Sequence, residues 1–321
     1  MFEDRLVLVT GGTGFLGRAV VAALLDRGAR VRATHLTREP VLDHPRLEWI
    51  RANLVEESDC RAATAGADFV FHLAAVTSGA ADIVARPLIH VTPNVVMNAR
   101  LLEAAYGNAV RKFLFVSTGA VYPPRGDHPL SEDDVFSGEP ADVYFPAAWM
   151  KRYAEVLCRT YAEELSPTMA TVVVRPSNVY GPGDKFDWQR SHVTAALIRR
   201  VVERHRPIVV WGTGDDVRDL IYVDDFVAGA LAAFAADQPH LTVNIASGEG
   251  HTIRDILRTA LDVDGFDDAE VTFDPSRPRT VDKLTFDVGK ARQTLGFEAT
   301  TPLPEGLRKT IAWLRANPPA G

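Results

Sequence analysis

A doubly wound α/β fold, a parallel sheet covered by helices with a smaller part toward the C-terminus, is the architecture this sequence predicts. Three observations point to it. Short β-branched runs alternate with longer helical stretches from Arg5 to about Val174. Several of those runs are apolar at successive positions, as strands buried on both faces are. After Pro176 the character changes: Gly181-Pro182-Gly183 and Gly212-Thr213-Gly214 punctuate shorter elements. Such alternation joins parallel neighbours through right-handed crossovers.

The strand candidates, in order, are Arg5–Thr10, Arg30–His35, Leu47–Ala52, Asp68–Leu73, Lys112–Ser117 and Ala170–Pro176. Between them Gly14–Gly28, Ser58–Ala65, Pro93–Gly107 and Pro146–Leu165 are long enough to cross over. The expected division is residues 1–176 plus about 218–247 in the sheet-bearing part, with Leu220–Ile245 returning to the main sheet. Residues of about 177–217 and 248–321 form the substrate-facing part. Ligands of such folds lie in the crevice at the carboxyl ends of the strands.

Composition excludes several classes. The 321 residues are 46% hydrophobic and 24% charged, an ordinary globular balance rather than a disordered or low-complexity one. Net charge is −7 and Lys and Arg are scattered, so no nucleic-acid footprint is present. The two cysteines, Cys60 and Cys158, fall in separate predicted helices, which argues against a disulfide framework or metal cluster and for a reducing compartment. The N-terminus lacks a signal-peptide pattern, and no apolar run is long enough to span a bilayer. A cytoplasmic protein, neither exported nor membrane-bound, is expected.

After the first strand comes Thr10-Gly11-Gly12-Thr13-Gly14-Phe15-Leu16-Gly17, then the helical run Ala19–Arg27. Glycines at 11, 14 and 17 allow a tight turn and close backbone approach, so the helix N-terminus offers N–H groups and its positive dipole end to a pyrophosphate. A turn that merely needs small residues is the plainer alternative. The clean strand before the loop, the clean helix after it and a second strand beyond favour dinucleotide binding of the Rossmann kind.

The spacing Gly-x-x-Gly-x-x-Gly resembles that of the extended short-chain dehydrogenase/reductase family. Further matches fall in order: Asn53-Leu54, His72-Leu73-Ala74-Ala75, Ser117-Thr118-Gly119-Ala120-Val121-Tyr122, and Arg175-Pro176-Ser177-Asn178-Val179-Tyr180-Gly181-Pro182. The resemblance implies that Gly11, Gly14, Phe15, Leu16, Gly17, Asn53, Leu54, Leu73, Ala74, Ala75, Lys151, Pro176 and Val179 hold a nicotinamide cofactor. An acid closing the second strand normally accepts the ribose 2′-OH of NAD. Here the strand ends without one, and His35 and Arg38 favour NADP(H) over NAD(H), unless Arg38 is merely a solvated charge.

In this family a Tyr exchanges the proton of a sugar hydroxyl, a Lys four residues later lowers its pKa and holds the nicotinamide ribose, and a Ser or Thr bonds the same oxygen. Thr118 and Lys151 match the last two, and the Tyr position is Ala147. Tyr144 and Tyr153 have spacings that do not set a phenol beside Lys151 on one helix face. The rest of the site is intact, which favours an inactivating substitution over natural erosion; the alternative is a non-catalytic NAD(P)- or sugar-nucleotide-binding protein.

The second half resembles the branch of the family that contains the GDP-L-fucose synthases, through Ser131-Glu132 to Gly138, Asn178 to Asp187, Ser191-His192-Val193, Val209 to Gly214, Arg218-Asp219 and Leu295-Gly296-Phe297. This implies a nucleotide-sugar substrate. Thr118, Asn178, Lys185, Arg200, Trp211, Arg218 and Arg277 are its expected contacts, arginine suiting diphosphate and indole a base or ribose. The plainer readings are a solvated helix end for Arg200 and a core aromatic for Trp211. His192 matches the general acid of the fucose synthases, but their partner Cys falls at Ala120, so C3/C5 epimerisation is disfavoured. Hydride transfer confined to C4, by a 4-epimerase or a 4-ketoreductase, is expected. Pairing of helices 93–107 and 146–165 between two copies, as in the family, implies a homodimer.

Overall fold

A computed structural model describes residues 1–77, 86, 88–188, 191–276 and 281–319. β1 (Leu6–Thr10) leads through α1 (Phe15–Leu25) to β2 (Arg30–His35) and β3 (Leu47–Arg51). α2 (Glu57–Thr64), β4 (Phe69–His72), α3 (Val91–Gly107), β5 (Lys112–Val116), α4 (Phe145–Glu163) and β6 (Ala170–Pro176) follow. Then come β7 (Asn178–Tyr180), α5 (Val193–Val202), β8 (Ile208–Trp211), β9 (Val217–Tyr222), α6 (Val223–Ala235) and β10 (His240–Ile245). The chain closes with β11 (Gly250–Thr252), α7 (Ile253–Asp264), β12 (Val271–Asp274), β13 (Lys283–Leu284), α8 (Gly289–Leu295) and α9 (Leu303–Ala316).

Seven parallel strands in the order β10-β6-β5-β4-β1-β2-β3 make the main sheet. The doubly wound fold is therefore as the sequence predicts. All six predicted strands are present, and no end differs by more than one residue. Alternation explains their apolar content. Val7, Val9, Phe71, Leu114, Val172 and Val174 face a core filled from α1 and α6 by Val20, Leu24, Phe226 and Phe234. Leu8, Val70, Phe113, Phe115 and Val173 face the opposite core, filled from α2, α3 and α4 by Cys60, Leu101, Leu102 and Cys158. Both cysteines are buried and free.

The return to the main sheet expected for Leu220–Ile245 is made by α6 and β10, whereas β9 pairs with β7, β11 and β13 outside it. Its two faces serve two cores. Ile221 enters the main one, while Leu220 and Tyr222 enter a second, closed by Leu197, Ile198, Ile256, Leu257, Leu307 and Ile311. A strand apolar on both faces for that reason reads in sequence like an interior strand of the main sheet. No helix among the described residues is long and apolar enough to cross a membrane.

The winding reverses at β1, whose neighbours are β2 and β4, and this opens the crevice at their carboxyl ends. A hydrogen-bond cluster fixes the spot. Thr10 Oγ1 accepts from the N–H groups of Leu73 and Ala74 at 3.1 and 3.0 Å, and meets His72 Nδ1 at 2.7 Å. With Nδ1 accepting, His72 Nε2 donates to Asn98 Oδ1 at 2.9 Å. Burial pushes His72 down to about 4, so the ring is neutral at physiological pH.

Candidate active site

The glycine loop lies where the sheet reverses. Gly11 is left-handed at φ +67°, and a Cβ there would stand 2.9 Å from Ala74 Cα. At Gly17 a Cβ would stand 2.1 Å from Gly11 O, so the first turn of α1 can approach the loop only without a side chain. Gly14 caps α1 in extended conformation with no side-chain cap, leaving the first N–H groups, including those of Phe15 and Leu16, to the crevice. Gly12 N–H donates to Thr34 O at 2.9 Å and Gly11 N–H to Thr34 Oγ1 at 3.0 Å, tying the loop to β2. A dinucleotide pyrophosphate fits this cradle. Gly17→Ala is therefore expected to weaken dinucleotide binding by at least about an order of magnitude, read by fluorescence titration.

Around the loop, Asn53 N–H donates to Asp59 Oδ2 at 2.7 Å, and Leu54 is buried. Leu73 and Ala74 are half-buried and Ala75 is exposed. His35 Nδ1 lies 3.2 Å from Arg38 O, and the Arg38 side chain is exposed. Arg18, the residue after the third glycine, donates to Gly183 O at 2.8 Å. Desolvation, then the nearby Arg38 charge, lowers its pKa. Neither guanidinium has a carboxylate partner among the described residues. The sequence reading missed Arg18; its adjacency to Gly17 was the available signal.

On α4, Ala147 is half-buried one turn before Lys151. Lys151 Nζ donates to Val116 O at 2.8 Å and stands 4.5 Å from the Phe115 ring centroid. Burial, opposed by the Glu155 charge, lowers its pKa to about 8. Val116 precedes Ser117 and Thr118, so the ammonium is moored to the strand end that carries the hydroxyl. Thr118 Oγ1 accepts from Ala120 N at 3.2 Å and caps the 3-10 turn Gly119–Val121.

A buried network fixes this arrangement from behind. Arg175 donates to Glu155 at 2.7, 3.1 and 3.3 Å, and Ser117 Oγ donates to Glu155 Oε1. Arg175 Nη1 reaches Tyr122 Oη at 3.0 Å, and that phenol donates to Asn244 Oδ1 at 2.6 Å. Three members neighbour site residues: Ser117 precedes Thr118, Glu155 lies one turn past Lys151, and Arg175 precedes Pro176. Their wide sequence separation hid this network from motif reading.

The strand ends bring Thr118, Ala147, Lys151, the glycine loop and Pro176 to Val179 to one edge of the sheet, with Asn178 and Val179 half-buried on β7. Lys185 Nζ bonds Thr77 Oγ1. His192 is the N-cap residue of α5, and desolvation with the Lys185 charge lowers its pKa. Asp184, not singled out in the sequence, is raised to about 7 by burial. Arg200 lies in the last turn of α5 with its guanidinium 5.1 Å from the Trp188 ring centroid; Trp211 ends β8 and is 47% exposed. Arg218 is buried on β9, donates to Val217 O at 2.8 Å and lies 3.7 Å from Asp216. Arg277 lies outside the described residues. Among those residues no group of three or more His, Cys, Asp or Glu could hold a metal ion.

Residues 7–246 match the family of NAD dependent epimerases/dehydratases. The chain is 30% identical to a dTDP-4-dehydro-6-deoxy-D-allose reductase of Streptomyces bikiniensis, covering 98% of this chain and 97% of the relative. It is 29% identical to the GDP-L-fucose synthase of Escherichia coli (strain K12), covering 98% of both. Among solved structures it resembles MoeE5 in complex with UDP-glucuronic acid and NAD, with TM-score 0.85, 28% identity and coverage of 98% and 99% of the two chains.

Proposed function

The chain belongs to the NAD dependent epimerase/dehydratase family, the extended short-chain dehydrogenases/reductases, and on that footing we propose that it binds NADP(H) and a nucleotide sugar for hydride transfer at sugar C4. The observation that carries this reading is the mooring of Lys151 to Val116, beside Thr118, at the edge that bears the glycine loop. A nicotinamide held at the glycine loop would supply or accept the hydride. Lys151 holds the ribose hydroxyls, Thr118 orients the sugar oxygen, and Asn178 and Lys185 flank the sugar. Arg200, Trp211 and Arg277, in the part formed by residues of about 177–217 and 248–321, hold the nucleotide diphosphate together with Arg218, which borders that part. His192 adds a proton donor, and with Ala120 in the thiol position the chemistry stays at C4, as reduction or 4-epimerisation.

Ala147 in the tyrosine position lowers turnover, and the reading that fits it is an inactivated variant of a working enzyme. A non-catalytic binding protein is the second reading, favoured by Ala147 alone. Exposed Val95 on α3 and Trp149 and Tyr153 on α4 support pairing into a homodimer.

Titration with NADPH and NADH, then with a GDP- or dTDP-linked 4-keto-6-deoxyhexose, tests the proposal. Submicromolar to micromolar NADPH binding and sugar-nucleotide binding to the loaded protein are expected. Arg38→Asp should reverse the cofactor preference in favour of NADH by roughly tenfold or more, since a carboxylate repels the 2′-phosphate and accepts the 2′-OH. No binding of either dinucleotide would overturn the reading.

A further inference from the structure

We propose that Tyr144 supplies the phenol that position 147 lacks, and so acts as the proton donor to the sugar O4; the inference rests on the function proposed above. The sequence sets Tyr144 seven residues before Lys151, a spacing that does not put a phenol beside the ammonium on one helix face. α4 begins at Phe145, and Tyr144 instead closes a 3-10 turn, Asp142–Tyr144, its N–H donating to Ala141 O at 2.8 Å. Tyr144 thus stands just before the helix as its N-cap residue, at φ −107° and ψ −1°.

The ring lines a void of about 20 Å³ with Gly119, Ala120, Ala141, Lys283 and Leu284. Gly119 and Ala120 are the two residues after Thr118, so Tyr144 lies against the turn that Thr118 caps. Tyr144 is half-buried, and its Oη makes no hydrogen bond among the described residues. Buried Tyr122, by contrast, is committed to Arg175 and Asn244, and Tyr153 is 56% exposed. A void of that size holds about one water, a ready partner for the phenol. Ala147, one turn along, removes the bulk that a tyrosine there would place between Tyr144 and Lys151.

In the reductive direction the carbonyl carbon C4 accepts the hydride, the π pair of C=O moves onto O4, and the Tyr144 Oη–H bond breaks to give O4 its proton. The nicotinamide is oxidised, and the phenolate regains a proton from solvent.

The test compares the protein as it stands with Tyr144→Phe, Ala147→Tyr and the double variant. Loaded with NADPH, each is mixed with GDP- and dTDP-4-keto-6-deoxyhexoses and followed by absorbance and by the solvent deuterium isotope effect; binding of both ligands is titrated separately. The expected result is slow turnover, lost by roughly a hundredfold in Tyr144→Phe with both binding constants unchanged, and restored in the double variant. Turnover of Tyr144→Phe within about twofold of the parent, with the same isotope effect, overturns the role of Tyr144, as does a parent without turnover. Activity of Ala147→Tyr in either case leaves the proposed function standing, whereas ligand binding with no activity in any variant overturns that function as well.

Discussion

Ala147→Tyr is expected to raise kcat for a nucleotide-linked 4-keto sugar by roughly 10²- to 10⁴-fold, with the substrate dissociation constant unchanged. The geometry is already in place. Position 147 is half-buried one turn before Lys151 on a continuous helix, and side chains so spaced have Cβ atoms about 5–6 Å apart. The ammonium it would face is itself fixed by Val116 O. Because Lys151 titrates near 8, its charge is present below that pH and lost above it. The restored rate should therefore fall as pH rises through 8, the reverse of what a simple base would give. Stopped-flow absorbance of the reduced cofactor between pH 6 and 10 reads both effects. A variant that binds both ligands without gaining rate would favour the non-catalytic reading.

Glu155→Ala is expected to destabilise the fold by about 3–5 kcal/mol, because it strands a buried guanidinium whose partner has gone. Arg175 and Glu155 are 4% and 5% exposed at their side chains, so water cannot replace the lost carboxylate. The same change frees Ser117 beside Thr118, and cofactor binding should weaken along with stability. Urea denaturation measures the first effect and NADPH titration the second. Glu155→Gln, which retains an acceptor for Arg175 and Ser117, should recover part of the loss. A Glu155→Ala protein as stable as its parent would show that the network is not what fixes the strand ends.

The main sheet was legible because its strands are buried on both faces, which forces apolar residues at consecutive positions, as in Leu6–Val9 and Val172–Val174. The glycine loop was legible because its constraint is local: Gly17 meets Gly11 across a single turn. Other features depended on contacts that no local pattern encodes. β9 was assigned to the wrong sheet because its residues divide between two cores. Arg175 and Glu155 come from a strand and a helix separated in sequence, so neither announces the other. Tyr144 lies outside the helix in the sequence reading and in the structure alike, and the residues that line a void with it, Gly119, Ala120, Lys283 and Leu284, come from segments that no local pattern sets beside it.

The strand order carries a consequence for synthesis. The chain leaves the main sheet at β6 and reoccupies the far edge only at β10, after residues 177–239 have passed through other elements. A chain emerging from the ribosome thus carries a six-stranded sheet with β6 as a bare parallel edge, rich in valine, until His240–Ile245 arrives. Exposed edges of that kind recruit other chains. A protein cut at Pro176 should therefore aggregate rather than stand as a free-folding nucleotide-binding unit, which makes the intervening residues a guard of the nascent sheet as well as a wall of its crevice.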